Sequence, residues 1–241
     1  MKAKSILQCA ALLTGLLFLN VPLFATVESD IVGYSTIPLD NLGYTLLSLP
    51  FSNLQSGVSG YPVQSITGIL SQFNAPALAD SLLVMDPETK AYTTYYYKTV
   101  GWVKGSETTP TTDVIKPGTA VYLRKMRQVG SITIAGKVLV DETVSLPLTI
   151  GLNLVANPYP VEINIADITG TNLSRFNATA LADSIMLLDP ATKVYTTYYL
   201  KTAGWVKEGE TEVTTDTIKA NEGFVYKKMR TTGTLLFTNP L

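Results

Sequence analysis

Residues 71–104 read SQFNAPALADSLLVMDPETKAYTTYYYKTVGWVK, and residues 174–207 read SRFNATALADSIMLLDPATKVYTTYYLKTAGWVK. The two stretches lie 103 positions apart and agree at 24 of 34 positions. Self-similarity of this kind identifies a structural unit written twice, and it also provides an internal comparison. Where the copies differ, the fold tolerates both residues. Where they agree, the fold or a shared task requires the residue.

Each copy reads as β-structure. Ser81–Met85 and Ser184–Leu188 are apolar runs of strand length that end at Asp-Pro. The segments DPETK (86–90) and DPATK (189–193) are turns: proline presets φ, and the aspartate before it bonds nearby amides. The Tyr/Thr runs Tyr92–Lys98 and Tyr195–Lys201 have strong strand composition, so each DPxTK is the tip of a hairpin. Residues 114–124 and 217–227 read as a further strand in each copy, and residues 132–134 and 235–237 as closing strands. Residues 63–73, with their counterpart 163–176, suit a short helix or turn. The expectation is an all-β protein of two tandem homologous repeats, each a β-sandwich or small β-barrel with at most one short helix.

Working outward, Leu42-Gly43-Tyr44-Thr45-Leu46-Leu47 matches Ile150-Gly151-Leu152-Asn153-Leu154-Val155, and Lys125-Met126-Arg127 matches Lys228-Met229-Arg230. Ile31-Val32-Gly33 also aligns with Ile134-Ala135-Gly136, which places the expected repeats at 26–133 and 134–241. No linker-like segment separates them, so the units are expected to abut. In the Tyr/Thr strand, Tyr95 and Tyr97 share a side with each other, as Tyr198 and Leu200 do in copy two. A Tyr-to-Leu exchange suits a packed face. The opposite side, with Tyr92, Tyr96 and Lys98 or Tyr195, Tyr199 and Lys201, is expected to be the wetter one.

Residues 1–25 read as an export signal. Lys2 and Lys4 precede the apolar stretch 6–19, and Leu23-Phe24-Ala25 offers a small residue before the cut. The chain is therefore expected to be exported by the secretory pathway to the cell surface, the medium or the periplasm. The remainder contains no further apolar run of spanning length. The sole cysteine, Cys9, lies inside the signal, and the chain has no histidine. Disulfides, thiolate chemistry, a Ser-His-Asp triad and a Cys/His zinc site are thereby excluded from the mature chain. Without Lys2 and Lys4 there remain 16 basic and 19 acidic residues, a net charge of about −3, which argues against nucleic acid as a partner.

The strings LGYTLLSLPF (42–51) and IGLNLVANPYP (150–160), the DPxT hairpin, Gly-Trp and IKPGTAVYLRK (115–125) resemble a β-rich module of secreted bacterial and archaeal surface proteins. Such modules carry a Gly-aromatic-Asn-Leu-Ile/Val…Pro strand and a Pro-Gly strand. Copy one departs from this pattern at Tyr44-Thr45, and copy two at Ala220-Asn221, where copy one has Pro117-Gly118. The resemblance implies a fold and a location and brings no catalytic residue with it.

Candidate sites follow from residue chemistry. Asp80, Asp86, Glu107 and Asp113 recur as Asp183, Asp189, Glu210 and Asp216. A glycoside hydrolase needs two carboxyls flanking one bond. Positions beside turns and strand starts, present twice, suit structure better, so no catalytic residue is expected. No calcium-type loop occurs, and neither a metal nor a cofactor is expected. The ligand-binding candidates are aromatic: Trp102, Trp205, Tyr92, Tyr96, Tyr195 and Tyr199, which would form a platform for sugar rings if exposed. Their structural alternative is core and cross-strand packing. The basic clusters 124–127 and 227–230 suit either an anionic polymer or charged strand edges that resist aggregation. The expected function is a non-catalytic, secreted or cell-surface repeat protein with a structural or adhesive role, whose partners are other surface proteins or extracellular polysaccharide. The alternatives are a carbohydrate-binding module and, third, a hydrolase.

Overall fold

The computed structural model describes residues 30–54 and 60–240. The export signal expected over residues 1–25 lies outside them. The described chain is all-β, with antiparallel pairing throughout. Seven principal strands make up the first half: β1 (Val32–Leu39), β2 (Gly43–Leu47), β3 (Ser81–Met85), β4 (Tyr92–Lys98), β5 (Gly101–Lys104), β6 (Val121–Lys125) and β7 (Gly130–Val138). Seven make up the second: β8 (Thr143–Leu148), β9 (Gly151–Ala156), β10 (Ser184–Leu188), β11 (Tyr195–Lys201), β12 (Gly204–Lys207), β13 (Gly223–Lys228) and β14 (Gly233–Thr238).

The two halves share one plan. A five-stranded sheet runs β2-β6-β3-β4-β5 in the first half and β9-β13-β10-β11-β12 in the second. Register recurs as well: Ser81 faces Tyr96 and Met85 faces Tyr92, as Ser184 faces Tyr199 and Leu188 faces Tyr195. A second sheet, built on β1-β7 or β8-β14, covers one face. Ile37, Leu39, Ile132 and Ile134 from this cover meet Leu82, Tyr95, Trp102, Val121 and Leu123 from the five-stranded sheet. Leu148, Leu235 and Phe237 meet Ile185, Tyr198, Trp205, Phe224 and Tyr226 in the second half. Each half is thus a sandwich with its own core. The outer strands β1 and β8 carry Pro38 and Pro147, which lack an amide to offer a passing strand.

Several sequence expectations need adjusting. The segment 114–124 is two strands, because Pro117-Gly118 breaks it: Val114–Ile115 pairs with Tyr61–Pro62, and β6 begins only at Val121. The segment 217–227 divides likewise at Ala220-Asn221, with Asn221 at φ 62° where Gly118 has 78°. The expected short helices are single 3-10 turns, Val63–Ser65 and Ile165–Asp167. The expected division between 133 and 134 falls inside β7, and the next strand of the same plan begins at Thr143. Gly33 and Gly136 are cross-strand partners in β1 and β7 rather than equivalent positions. Their shared glycine has a local cause: a Cβ on Gly136 would stand 2.2 Å from the Ser52 carbonyl oxygen, and one on Gly33 would strike the Phe51 ring.

The halves abut as the lack of a linker suggests, and their contacts are reciprocal. Leu47 bridges to Glu222, and Thr119 bridges to Val155. The Ser48 amide donates to the Asn221 carbonyl at 2.8 Å, and the Ala156 amide donates to the Gly118 carbonyl at 2.8 Å. Each pair maps onto the other when the copies are exchanged, as in an isologous two-fold dimer interface contained in one chain. A third apolar cluster fills this seam: Leu46, Met85 and Ala120 against Leu154, Ala156 and Val225. The outer faces of the two five-stranded sheets therefore contribute to a shared contact and are not wholly open to solvent.

Candidate functional site

The indole rings settle one candidate directly. Trp102 and Trp205 are 0% and 1% exposed. Each sits on the edge strand of its five-stranded sheet but turns inward, and its Nε1–H donates to a carbonyl of the opposite wall, Ile66 at 2.9 Å or Ile168 at 3.0 Å. Neither ring offers a face to a ligand, so the tryptophan part of the expected platform is absent. The Gly-Trp sequence is a core anchor: glycine makes the tight turn at positive φ, 107° at Gly101 and 141° at Gly204, and the ring after it fills the sandwich.

The basic clusters also change meaning. Lys125 and Lys228, expected at charged edges, have fully buried side chains and pair with Asp80 at 2.5 Å and Asp183 at 2.8 Å. Asp80 accepts the Ser71 amide at 2.8 Å and the Met126 amide at 2.7 Å, while Lys125 also donates to the Ile69 carbonyl at 2.6 Å. The second half repeats the network and adds the Tyr226 hydroxyl, which donates to Asp183 at 3.0 Å from the position that Leu123 holds in copy one. A buried charge survives when it is paired and hydrogen-bonded, as both members of each of these pairs are.

Two further repeated carboxylate pairs are structural too. Asp86 and Asp189 accept the amides of their own turns, which hold both carboxyls below the usual range. Asp113 and Asp216 accept a tyrosine hydroxyl, from Tyr95 or Tyr198, at 2.7 Å, and a lysine, Lys104 or Lys207, at 3.0 Å. The tyrosine bond and then the lysine lower their pKa below the ordinary 3.8. A carboxyl whose folded pKa is depressed stabilises the fold above the unfolded value and loses that contribution as pH falls through the folded one. The urea midpoint should thus hold from neutrality to about pH 4 and decline below it. Asp113→Asn and Asp216→Asn should flatten part of that decline. Tyr95→Phe and Tyr198→Phe should each cost about 1 kcal/mol at pH 7, a modest figure because the carboxylate partner is over a third exposed.

The tyrosines divide as the face argument expects. Tyr95 and Tyr198 are buried in their cores, with Leu200 beside Tyr198 and Tyr97 partly buried. Tyr96 and Tyr199 are intermediate, on the outer face away from the seam's aromatic cluster. Tyr92 and Tyr195 are about half exposed and come together across the seam, each from the start of its Tyr/Thr strand. Two tyrosines absent from the sequence candidates join them. Tyr122 of β6 lies edge-on to Tyr44 of β2, with ring centroids 6.0 Å apart, and 6.4 Å from Tyr92. Its hydroxyl is 3.0 Å from that of Tyr195. Burial and then this hydroxyl contact push the Tyr122 phenol up, so it stays protonated as a hydrogen-bonding group. The Arg124 guanidinium lies 5.4 Å from the Tyr44 ring centroid.

These four tyrosines wall an open groove of about 570 Å³ with Leu42, Leu83, Leu188 and Lys193. Such dimensions and lining suit a ligand site: an apolar cleft with a few polar groups at its margin. Its lining contains no carboxylate. The chain matches no protein-family model, no curated protein and no solved structure. The groove is therefore read from its own chemistry. It offers aromatic faces, phenol hydroxyls and one lysine at its margin, groups whose chemistry suits binding rather than bond-breaking. The signal that would have found it is the departure of Tyr44 and Tyr122 from Leu152 and Val225. The seam that brings both near Tyr195 is not visible along the sequence.

Proposed function

We propose that this chain is an exported, non-catalytic β-repeat protein with a structural or adhesive role at the cell surface, and that the tyrosine groove in its seam is the contact surface. The observation that carries this reading is the convergence of Tyr44, Tyr92, Tyr122 and Tyr195 from both halves on one open cleft. Tyrosine gives large contact area for little rotamer entropy and keeps a hydroxyl for polar partners, which suits an adhesive surface. The export-signal pattern and the resemblance to modules of secreted surface proteins support the location. The repeated aspartates support a non-catalytic role, because each is engaged in holding a turn, a loop or a lysine. A second reading, a carbohydrate-binding module, is favoured by the same groove. It now rests on Tyr92 and Tyr195 with Tyr44 and Tyr122, without the tryptophans.

The test is retention of the purified secreted protein on immobilised extracellular polysaccharide and on washed cell envelopes, with albumin-coated wells as the blank. The wild-type protein should be retained, and a Tyr92→Ala/Tyr195→Ala variant with an unchanged circular dichroism spectrum should wash away. Equal retention of both proteins, or none of either, would remove the adhesive reading.

A further inference from the structure

The reciprocal seam gives the groove a counterpart. Exchange of the two copies carries it onto a second cleft of about 510 Å³, which shares Tyr92, Tyr122 and Tyr195 with the first. The two clefts have the same backbone origin but differ in side chains. Where the first has Tyr44, the second has Leu152; where the first draws Tyr122 from its own sheet, the corresponding strand of the second supplies Val225. The fold is satisfied by leucine and valine at these positions, so it does not itself require either tyrosine. Tyr44 lines the first cleft alone, whereas Tyr122 reaches both.

The lysines diverge as well. Lys90 at the second cleft donates to Thr149 Oγ1 at 2.5 Å and Asn153 Oδ1 at 3.1 Å, within a knot of side-chain bonds. Lys193 is its counterpart at the tyrosine groove. The places of Thr149 and Asn153 are taken there by Asn41 and Thr45, and Asn41 spends its amide on the Pro190 carbonyl. Among the described residues, Lys193 has one hydrogen bond, to the Tyr44 carbonyl at 2.9 Å. Its ammonium carries three donors, which leaves two for a ligand. Arg124 lies over the Tyr44 ring, outside the lining of the groove. A protein that is acidic overall therefore lines its most aromatic cleft with one cation, Lys193, and no carboxylate.

We propose that this groove takes the acidic sugar rings of an anionic polysaccharide. The apolar face of a pyranose would stack on one ring of the edge-on Tyr44/Tyr122 pair and abut the other, while the ring carboxylate meets Lys193. The Lys193 ammonium at the margin selects a uronic acid over a neutral sugar by charge complementarity. The aromatic floor fits a ring bearing axial C–H groups and excludes a bare inorganic anion, which has nothing to stack. The proposal rests on the groove being the contact surface and adds the class of molecule it contacts.

Titration calorimetry with oligogalacturonates of three to six residues, against neutral galacto-oligosaccharides of equal length, tests it. The variants Tyr44→Leu and Tyr122→Val import residues that the other copy already accommodates, so the fold should be kept; Lys193→Gln removes the charge alone. The expected result is oligogalacturonate binding that weakens with added salt and falls at least about tenfold, roughly 1.4 kcal/mol, in the Tyr44→Leu/Tyr122→Val variant. Lys193→Gln should reduce it toward the neutral oligomer's level. Equal, tyrosine-dependent binding of acidic and neutral oligomers would overturn the acidic class and leave the contact surface standing. Acidic binding indifferent to the tyrosine variants would overturn the groove as its site. Binding of neither oligomer would overturn the proposal, while the retention assay would still decide the adhesive role independently.

Discussion

Asp183→Ala should lower the unfolding free energy by about 3–5 kcal/mol, the usual loss when one member of a buried ion pair is removed. Its partner Lys228 would keep a buried ammonium with only the Asn172 carbonyl and the Ser174 hydroxyl near it. The amides of Ser174 and Met229 and the hydroxyl of Tyr226 would lose their acceptor as well. Asp80→Ala should cost somewhat less, because Leu123 stands where Tyr226 does and one fewer donor is orphaned. Lys125→Met should also be severe, since it strands a buried carboxylate. Adding it to Asp80→Ala should cost much less than the two single losses summed, because the second change relieves the charge that the first left unpaired. Urea melts of the four proteins measure this. Strict additivity within error would mean that Asp80 and Lys125 act separately, and the buried network would lose its energetic meaning.

The reason this network escapes a sequence reading is instructive. Lys125 sits in Arg124-Lys125-Met126-Arg127, a run that looks like a solvated edge, and Asp80 lies 45 positions earlier beside a strand start. Only the pairing of β6 with β3, Arg124 opposite Ser81, brings them together. Local features were far more legible. The DPxTK turns, the Tyr/Thr strands and their inward faces follow from period-two alternation and turn chemistry within a dozen residues, and they appear in the structure with matching register in both copies. The groove lies between these extremes. Tyr92 and Tyr195 are candidates on composition, whereas Tyr44 and Tyr122 are visible only as differences between copies. The seam couples residues that sequence distance keeps apart, such as Tyr122 and Tyr195.

The duplicated plan also sharpens what a tryptophan replacement should show. Trp102→Ala and Trp205→Ala should each cost about 3–5 kcal/mol, the range for truncating a large buried aromatic ring. Each also abandons a carbonyl, at Ile66 or Ile168, that no longer has its indole donor. Trp102→Phe and Trp205→Phe keep most of the packing and should lose less, with the missing hydrogen bond contributing about 1 kcal/mol. The strands around the two rings are not equally fastened. Gln64 uses both ends of its amide on the backbone of Trp102, its Oε1 accepting the Trp102 amide at 3.2 Å and its Nε2 donating to the Trp102 carbonyl. Copy two has Ala166 in that place, so β12 lacks this clasp. The clasp gives the outward Trp102 amide an acceptor and adds a second donor to the Trp102 carbonyl, which also accepts the Thr111 amide at 2.9 Å. Gln64→Ala should therefore lower stability by about 0.5–1.5 kcal/mol and raise amide exchange at Trp102 toward that at Trp205. The tryptophan variants should also distinguish anchor from platform. Under conditions where a tryptophan variant remains folded, its retention on polysaccharide should match the wild type, since neither ring reaches the surface. A selective loss of retention with an unchanged melting curve would place an indole in contact with ligand, which burial at 0% and 1% forbids.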